Sequence, residues 1–428
     1  MWQKRSAVSN FDIKTSAGLI IVSATLLVMM TNVAVQPAQA QTFTVLHTFT
    51  GPDGAGPQAH LTLDSAGNLY GTASEGGGGN EGGTAFKLSR KNGGWVFALL
   101  YSFQDLYNAA APNAVVLGPD GSLYGSSRSG GGFLDGTVFR LTPPATICAA
   151  VSCPWVQDVI HRFLGHSDGC TPKDIVFDTS GNILGATSDA LCNTQTGTVY
   201  ELTPSGGGWT KSLLYTFPGN DGAIPNSALV IDSAGNIYGT TEFTSGSGGT
   251  YFDFGTVYQL APSGSGWIHT TLYSFTNMTG GAFPQGVILD PTGNLFGVTP
   301  VGGSNNTGTA FELTPGSGGW TFNAFFNFTG LARCGPGAPL TMDSQGNLYG
   351  VTQCDGHFGD GTVFKLTATV GGGWIYSDLH DFDDGPDGGY PAGAVVLDAN
   401  GNIYGTASRG GNNSACDGGC GVVWEITQ

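Results

Sequence analysis

The string Gly-Asn-Leu-Tyr-Gly at Gly67 returns six more times in recognisable form, and this repetition constrains the fold more than any other feature. The copies are GSLYG at Gly121, GNILG at Gly181, GNIYG at Gly235, GNLFG at Gly293, GNLYG at Gly346 and GNIYG at Gly401, spaced by 53 to 60 residues. Self-similarity at such a period marks a repeat architecture. The unit is too long for a solenoid coil and suits one propeller blade. A repeated scaffold by itself says little about the site it carries.

Each unit reads as four strands. Strand a is a short apolar run ending at Asp, as in Ala228 to Asp232; an Asp-x-x-Gly turn leads into strand b, which runs through Tyr-Gly-Thr. A Gly-rich loop follows, then strand c of the type Gly361 to Leu366, a loop reaching Trp, and strand d ending in a Tyr-Ser-Phe-like triplet. Alternating aromatic and β-branched residues between Gly, Asp and Pro are strand signals, and no sustained 3.6-residue period competes with them. The chain is therefore expected to be all-β. It opens on an orphan strand d, residues 43–50, and finishes with a unit that has a, b and c but no d. Pairing the two ends closes a seven-bladed β-propeller of four-stranded antiparallel blades and leaves no long unpaired edge.

The first forty residues stand outside this pattern. Lys4, Arg5 and Lys14, the largely apolar stretch from Ala17 to Val35, and Ala38-Gln39-Ala40 together read as a secretory signal peptide. Residues 41–428 are then the single propeller domain, expected to be exported to the extracellular space or periplasm, monomeric and without a membrane span. Removing the leader shifts the formal charge from -17 to -19. Nucleic acid is an unsuitable partner, since binding it requires a basic footprint. All eight cysteines lie in the exported part, where an even count favours disulfides over metal thiolates. Cys170 and Cys334 precede strand a while Cys192 and Cys354 follow strand b. Those loops share a face, which pairs Cys170 with Cys192 and Cys334 with Cys354. Cys148 with Cys153 and Cys416 with Cys420 would close small local loops.

A residue that occurs about once per blade is structural by default. Asp64, Asp178, Asp232, Asp290, Asp343 and Asp398 suit tight turns, where the carboxylate accepts backbone N–H bonds. Gly118 at the same position of the second unit suggests that the Asp is dispensable. The Tyr of strand b and the Trp before strand d suit packing between blades. His47, His161 and His380 share a strand-d position with Tyr101, Tyr215, Tyr273 and Phe326, which makes them packing substitutes. Functional candidates are the residues that break the pattern in the b–c and d–a loops: Asp53, Asp135, Asp168, Asp221, Asp253, Asp360, Asp384 and Asp387, with His166 and His357. An acidic rim of this kind can hold Ca2+ through carboxylate and backbone oxygens, although no segment has the spacing of a known calcium loop. No other cofactor is expected. No nucleophile elbow, zinc-binding helix or P-loop is present, and no catalytic residue is assigned.

The unit running from Pro through Asp-x-x-Gly-Asn-(Leu/Ile)-Tyr-Gly-Thr, then Gly-Thr-Val-Phe-Lys-Leu-Thr, Gly-Gly-Trp and Leu-Tyr-Ser-Phe, resembles the bacterial GloVer (Gloeo_Verruco) tandem repeat of "choice-of-anchor" type. A looser likeness links it to NHL-type propellers. The resemblance implies an exported protein and no established reaction. Family members commonly carry a C-terminal sorting anchor; here the last strand runs to Gln428, which favours release or a periplasmic location. The leading expectation is a binding or interaction propeller that recognises polysaccharide or another cell-surface polymer through its loop-rich face. The alternative is a lyase or hydrolase with its active site at the mouth of the central channel.

Overall fold

The computed structural model describes residues 41–78, 82–104, 108–144, 155–188, 196–219, 222–245, 251–264, 266–330, 334–411 and 414–428. It shows seven antiparallel sheets, each a meander in the order a-b-c-d, arranged as the blades of a propeller. In blade 1 the strands are Thr62–Leu63, Leu69–Ala73, Thr84–Lys91 and Gly94–Ser102. No α-helix occurs among the described residues, and short 3-10 turns lie at His166–Asp168 and Met278–Gly280. The ring closes as the strand count requires. Thr42–Thr48 pairs antiparallel with Val422–Thr427, with Thr42 opposite Thr427 and Thr48 opposite Val422. Two local disulfides, Cys334–Cys354 and Cys416–Cys420, fasten loops. Cys170 is also disulfide-bonded, while Cys148, Cys153 and Cys192 lie outside the described residues.

The hydrophobic core lies between blades. Seven separate clusters occupy the seven seams, each drawing residues from two neighbours, as where Tyr70 and Ala85 of blade 1 meet Val115, Leu123 and Phe139 of blade 2. The strand-b aromatic and the Trp of the following blade meet edge to face across these seams: Tyr70 with Trp155 at 6.5 Å, Tyr238 with Trp320 at 6.0 Å and Tyr404 with Trp95 at 5.9 Å between centroids. This geometry suits the quadrupoles of aromatic rings.

The turn aspartates act as turn chemistry demands. Asp64 Oδ1 accepts the N–H groups of Ala66 and Asn68 at 2.9 and 2.8 Å, and Oδ2 accepts from Asn68 Nδ2 and from the Tyr70 hydroxyl. The same set recurs at Asp232, Asp343 and Asp398. Blade 2 corrects the expectation drawn from Gly118. Its carboxylate has moved two positions on to Asp120, which still accepts from Ser122 and from Tyr124.

Strand d departs from simple alternation in every blade. A register shift leaves one apolar residue unpaired, Leu100 in blade 1 and Ile160 in blade 2 for example. A bulge sends two successive side chains toward one face, so the next residue and the Phe two positions later are re-aimed. That next residue is the His or Tyr position, and it stacks on strand d of the following blade: His47 on Phe97 at 3.8 Å, Tyr273 on Phe322 at 3.7 Å and His380 on Phe43 at 3.6 Å.

Loops also tie blade to blade. The N–H of the residue before the repeat Pro donates to the b–c loop of the preceding blade: Ala111 to Gly82 O, Thr171 to Asp135 O, Ile224 to Thr196 O and Tyr390 to Asp360 O. All four donors are non-glycine residues with φ between 47° and 58°. This left-handed backbone is costly for L residues, and the inter-blade hydrogen bond offsets it. It also places the b–c and d–a loops on one face.

Candidate functional site

The loop face gathers most of the acidic candidates and engages several of them in its own architecture. Asp53 accepts from Thr50 N at 2.7 Å, Thr50 Oγ1 at 2.9 Å and His47 Nε2 at 3.0 Å. Burial opposes its charge, yet the His47 and Thr50 bonds hold the carboxyl below its ordinary range. Asp168 accepts from His161 at 3.2 Å, from Leu164 N at 2.9 Å and from Lys211 Nζ at 2.6 Å. Burial again opposes ionisation, and His161 and Lys211 together outweigh it and hold the carboxyl well below the usual range. Asp387 lies 2.9 Å from His380.

These three His–Asp clamps fasten the d–a loop to the end of strand d. The glycine after the clamp Asp is required by close packing: a Cβ on Gly169 would come within 2.5 Å of Thr187 Oγ1, which is itself hydrogen-bonded to Thr198. The histidines are thus more than packing substitutes. A signal in the repeat could have revealed this, because each His at that position is followed by an Asp-Gly pair in the next loop.

The third clamp differs electrostatically. Burial and the neighbouring Asp383 push Asp387 up to about 7, while burial pushes His380 down to about 4. Asp384 is raised by burial and by Asp360 and Asp383, with Arg409 opposing. Asp135 and Asp360 serve through their carbonyl oxygens in the inter-blade bonds described above. His166 is exposed on its 3-10 turn. His357 lines a separate recess with Asp355, Asp378 and Asp381 between blades 5 and 6. Asp253 ends a short strand, Tyr251–Asp253, that pairs with strand b of blade 4, and Asp221 lies outside the described residues. The nine described candidates therefore spread over several blades and do not converge on one centre.

Convergence occurs instead in the central channel, on residues that the loop pattern does not single out. A cavity of about 580 Å³ is lined by strand-a segments of blades 1, 3, 4, 5, 6 and 7. Its wall grades from polar to apolar. Gln58, Asn226 and Gln285 lie toward the loops, and Val230, Ile288, Thr341 and Val396 lie deeper. Between them is the position four residues before the turn Asp. It is Ala114, Ala228, Gly286, Pro339 and Ala394 in five blades, but His60 in blade 1 and Asp174 in blade 3. A small residue there keeps the channel open, so the two exceptions are where the ring's symmetry breaks.

His60 Nδ1 is 3.6 Å from Asp174 Oδ2, and each side chain is 27% exposed. That distance is beyond a direct hydrogen bond. The other Asp174 oxygen accepts the Ala114 N–H at 2.9 Å, which fixes the carboxylate from the intervening blade. Beside it, burial and the Arg128 charge lower the Lys173 ammonium from its ordinary value, against Glu242 and Asp174. Burial raises Glu242, against Lys173. The cavity wall thus carries an imidazole, a carboxylate and the amides of Gln58, Asn226 and Gln285, with Lys173 next to Asp174 in the chain but outside the lining. The position count that reveals His60 and Asp174 needs strand a aligned backward from its Asp, because the distance from the Pro to that Asp varies between blades.

The Gloeobacter/Verrucomicrobia repeat matches residues 31–190 and 155–332. The chain belongs to that family. The copies at Gly346 and Gly401 carry the same string beyond the matched segments. No curated protein matches the chain in sequence. Among solved structures it is similar to the extracellular domain of a protein from B. thetaiotaomicron described as a one-component system, with a TM-score of 0.50 and 11% identity over 90% of this chain and 42% of that one. It is also similar to PorZ, a surface component of the type-IX secretion system of Porphyromonas gingivalis, with a TM-score of 0.49 and 14% identity over 88% of this chain and 47% of that one. A Thermus protein described as an oxidoreductase (glucose dehydrogenase) is similar with a TM-score of 0.46 and 14% identity over 90% of this chain and 99% of that one. At such identity the first of these shows the fold alone.

Proposed function

We propose that this protein is an exported binding propeller that takes a polar ligand, a stretch of polysaccharide or another cell-surface polymer, at the loop-side mouth of its channel. The observation that carries this reading is the break in sevenfold symmetry at His60 and Asp174, which face each other in the wall of the channel. A fold needs no such exception at two of seven equivalent positions. Mixed donors and acceptors above an apolar throat can orient a hydroxyl-rich ligand. Export accords with the disulfides, which persist in oxidising compartments. Among the described residues no helix is long and apolar enough to cross a membrane.

The test is capture on a panel of glycans and cell-wall polymers, in Ca2+ and again in chelator. The wild-type protein is expected to retain at least one polymer; retention of none in either condition rejects the reading. A second reading uses the same residues as a lyase or hydrolase, since an imidazole beside a carboxylate can transfer protons. New reducing or unsaturated ends on a retained polymer would favour it.

A further inference from the structure

A groove of about 730 Å³ runs along the seam between blades 2 and 3, on the side of the a–b and c–d turns. It is lined by Trp209, Phe177 and Tyr124 together with Arg140, Asp120 and Asp158. We propose that this groove is a saccharide-binding site, separate from the channel, that seats a pyranose unit of a polysaccharide against the partly exposed Trp209 and Phe177, with Tyr124 buried behind them.

The equivalent seam between blades 7 and 1 shows what a self-satisfied groove looks like. There Arg90 lies over the Trp95 ring at 4.6 Å, donates to the Tyr404 hydroxyl at 3.0 Å and pairs with Glu425. Trp95 Nε1 donates to the same Glu425 at 3.3 Å. The protein's own side chains thus occupy both the ring face and the charge.

At the blade 2 and 3 seam both partners are replaced. Pro204 stands where Arg90 would be, and Arg140 stands where Glu425 would be. The c–d turn keeps its length but carries only the small residues Ser205-Gly206-Gly207-Gly208 in place of Lys91-Asn92-Gly93-Gly94, which leaves the groove unfilled. Arg140 Nη2 holds Asp158 at 2.8 Å, but its Nε is buried and has no hydrogen-bond partner among the described residues. Such a donor is costly unless an acceptor arrives. Asp158 stays 51% exposed and offers an acceptor in return, while Asp120 is held by Ser122 and Tyr124 in its turn. Aromatic rings bordered by a guanidinium donor and a carboxylate acceptor match a sugar, whose C–H face is apolar and whose rim is hydroxyl.

The experiment is isothermal titration of the intact protein with xylotetraose, cellotetraose, maltotetraose, chitotetraose and trigalacturonate. At least one is expected to bind, with Trp209→Ala, Arg140→Ala and Asp158→Asn each weakening it about tenfold or more. Asp158 is exposed and Arg140 half-buried at the groove edge, so the Asp158→Asn variant keeps the test valid if Trp209→Ala fails to fold. Arg140 and Asp158 do not line the channel, so a loss in their variants separates the groove from it, and Val370→Ala on the exposed c–d turn of blade 6 is expected to leave this affinity unchanged. Absence of binding to all five sugars, or equal binding by Arg140→Ala and Asp158→Asn, would overturn the proposal.

Discussion

His161 on the loop face and His60 in the channel each face an aspartate, at 3.2 and 3.6 Å, but the surroundings give the two pairs opposite roles. Asp168 is bound by His161, Lys211 and a backbone N–H, and the Lys211 side chain is only 11% exposed. Both carboxylate oxygens have a structural use, and two neighbouring blades are joined through them. Asp174 is fixed on one oxygen by Ala114 N, and its other oxygen looks across at an imidazole beyond bonding distance. The clamp consumes its hydrogen-bonding capacity; the channel pair keeps some for a ligand.

Breaking the Asp168 clamp is expected to have the largest effect. Asp168→Asn leaves Lys211 without its counter-charge and should cost about 2–3 kcal/mol by denaturant unfolding. The sign with pH follows from the depressed carboxyl. Its stabilisation is present above the ordinary carboxyl range and is lost as pH falls toward the lower folded value, so Asp168→Asn should flatten the acid limb of the stability profile. An unchanged acid limb would show that the clamp contributes little.

A smaller effect of opposite sign is expected at the third clamp. Asp387 is raised to about 7 by burial and Asp383, so its contribution is favourable when protonated and is lost as pH rises from the ordinary carboxyl range through about 7. Asp387→Asn keeps an acceptor for His380 and removes the charge. Its melting temperature relative to wild type should therefore rise between pH 5 and pH 8, a comparison made by paired thermal scans. A difference that stays flat or falls would place the proton elsewhere.

Much of the ring could be read before any coordinates. The sevenfold Gly-Asn-Leu-Tyr-Gly string, the Trp eight positions before the strand-d Phe and the orphan strand at the start are local, repeated signals, and the closure of Thr42–Thr48 on Val422–Thr427 follows from them. The strand-d bulge was not legible, because one extra residue shifts a period-two pattern without changing its composition. Asp120 was missed for a related reason: the carboxylate kept its function while moving two positions. The loop candidates break the sevenfold pattern, yet Asp53, Asp168 and Asp387 follow a rarer pattern of their own, His in the strand and Asp-Gly in the loop. His60 and Asp174 were hidden because their kinship appears only when strand a is aligned from its end, and their approach joins residues 114 positions apart in sequence.

The central claim is that binding resides where the seven copies disagree inside the channel. Its most direct test measures affinity and melting temperature together for the double variant His60→Ala, Asp174→Asn, using a polymer that the wild-type protein and its Arg140→Ala variant retain equally. Both side chains are partly exposed and spend little on the fold, so the melting temperature should stay within about 2 °C of wild type while affinity falls at least about tenfold. Undiminished binding by the folded double variant would contradict the claim and move the site to another face of the ring.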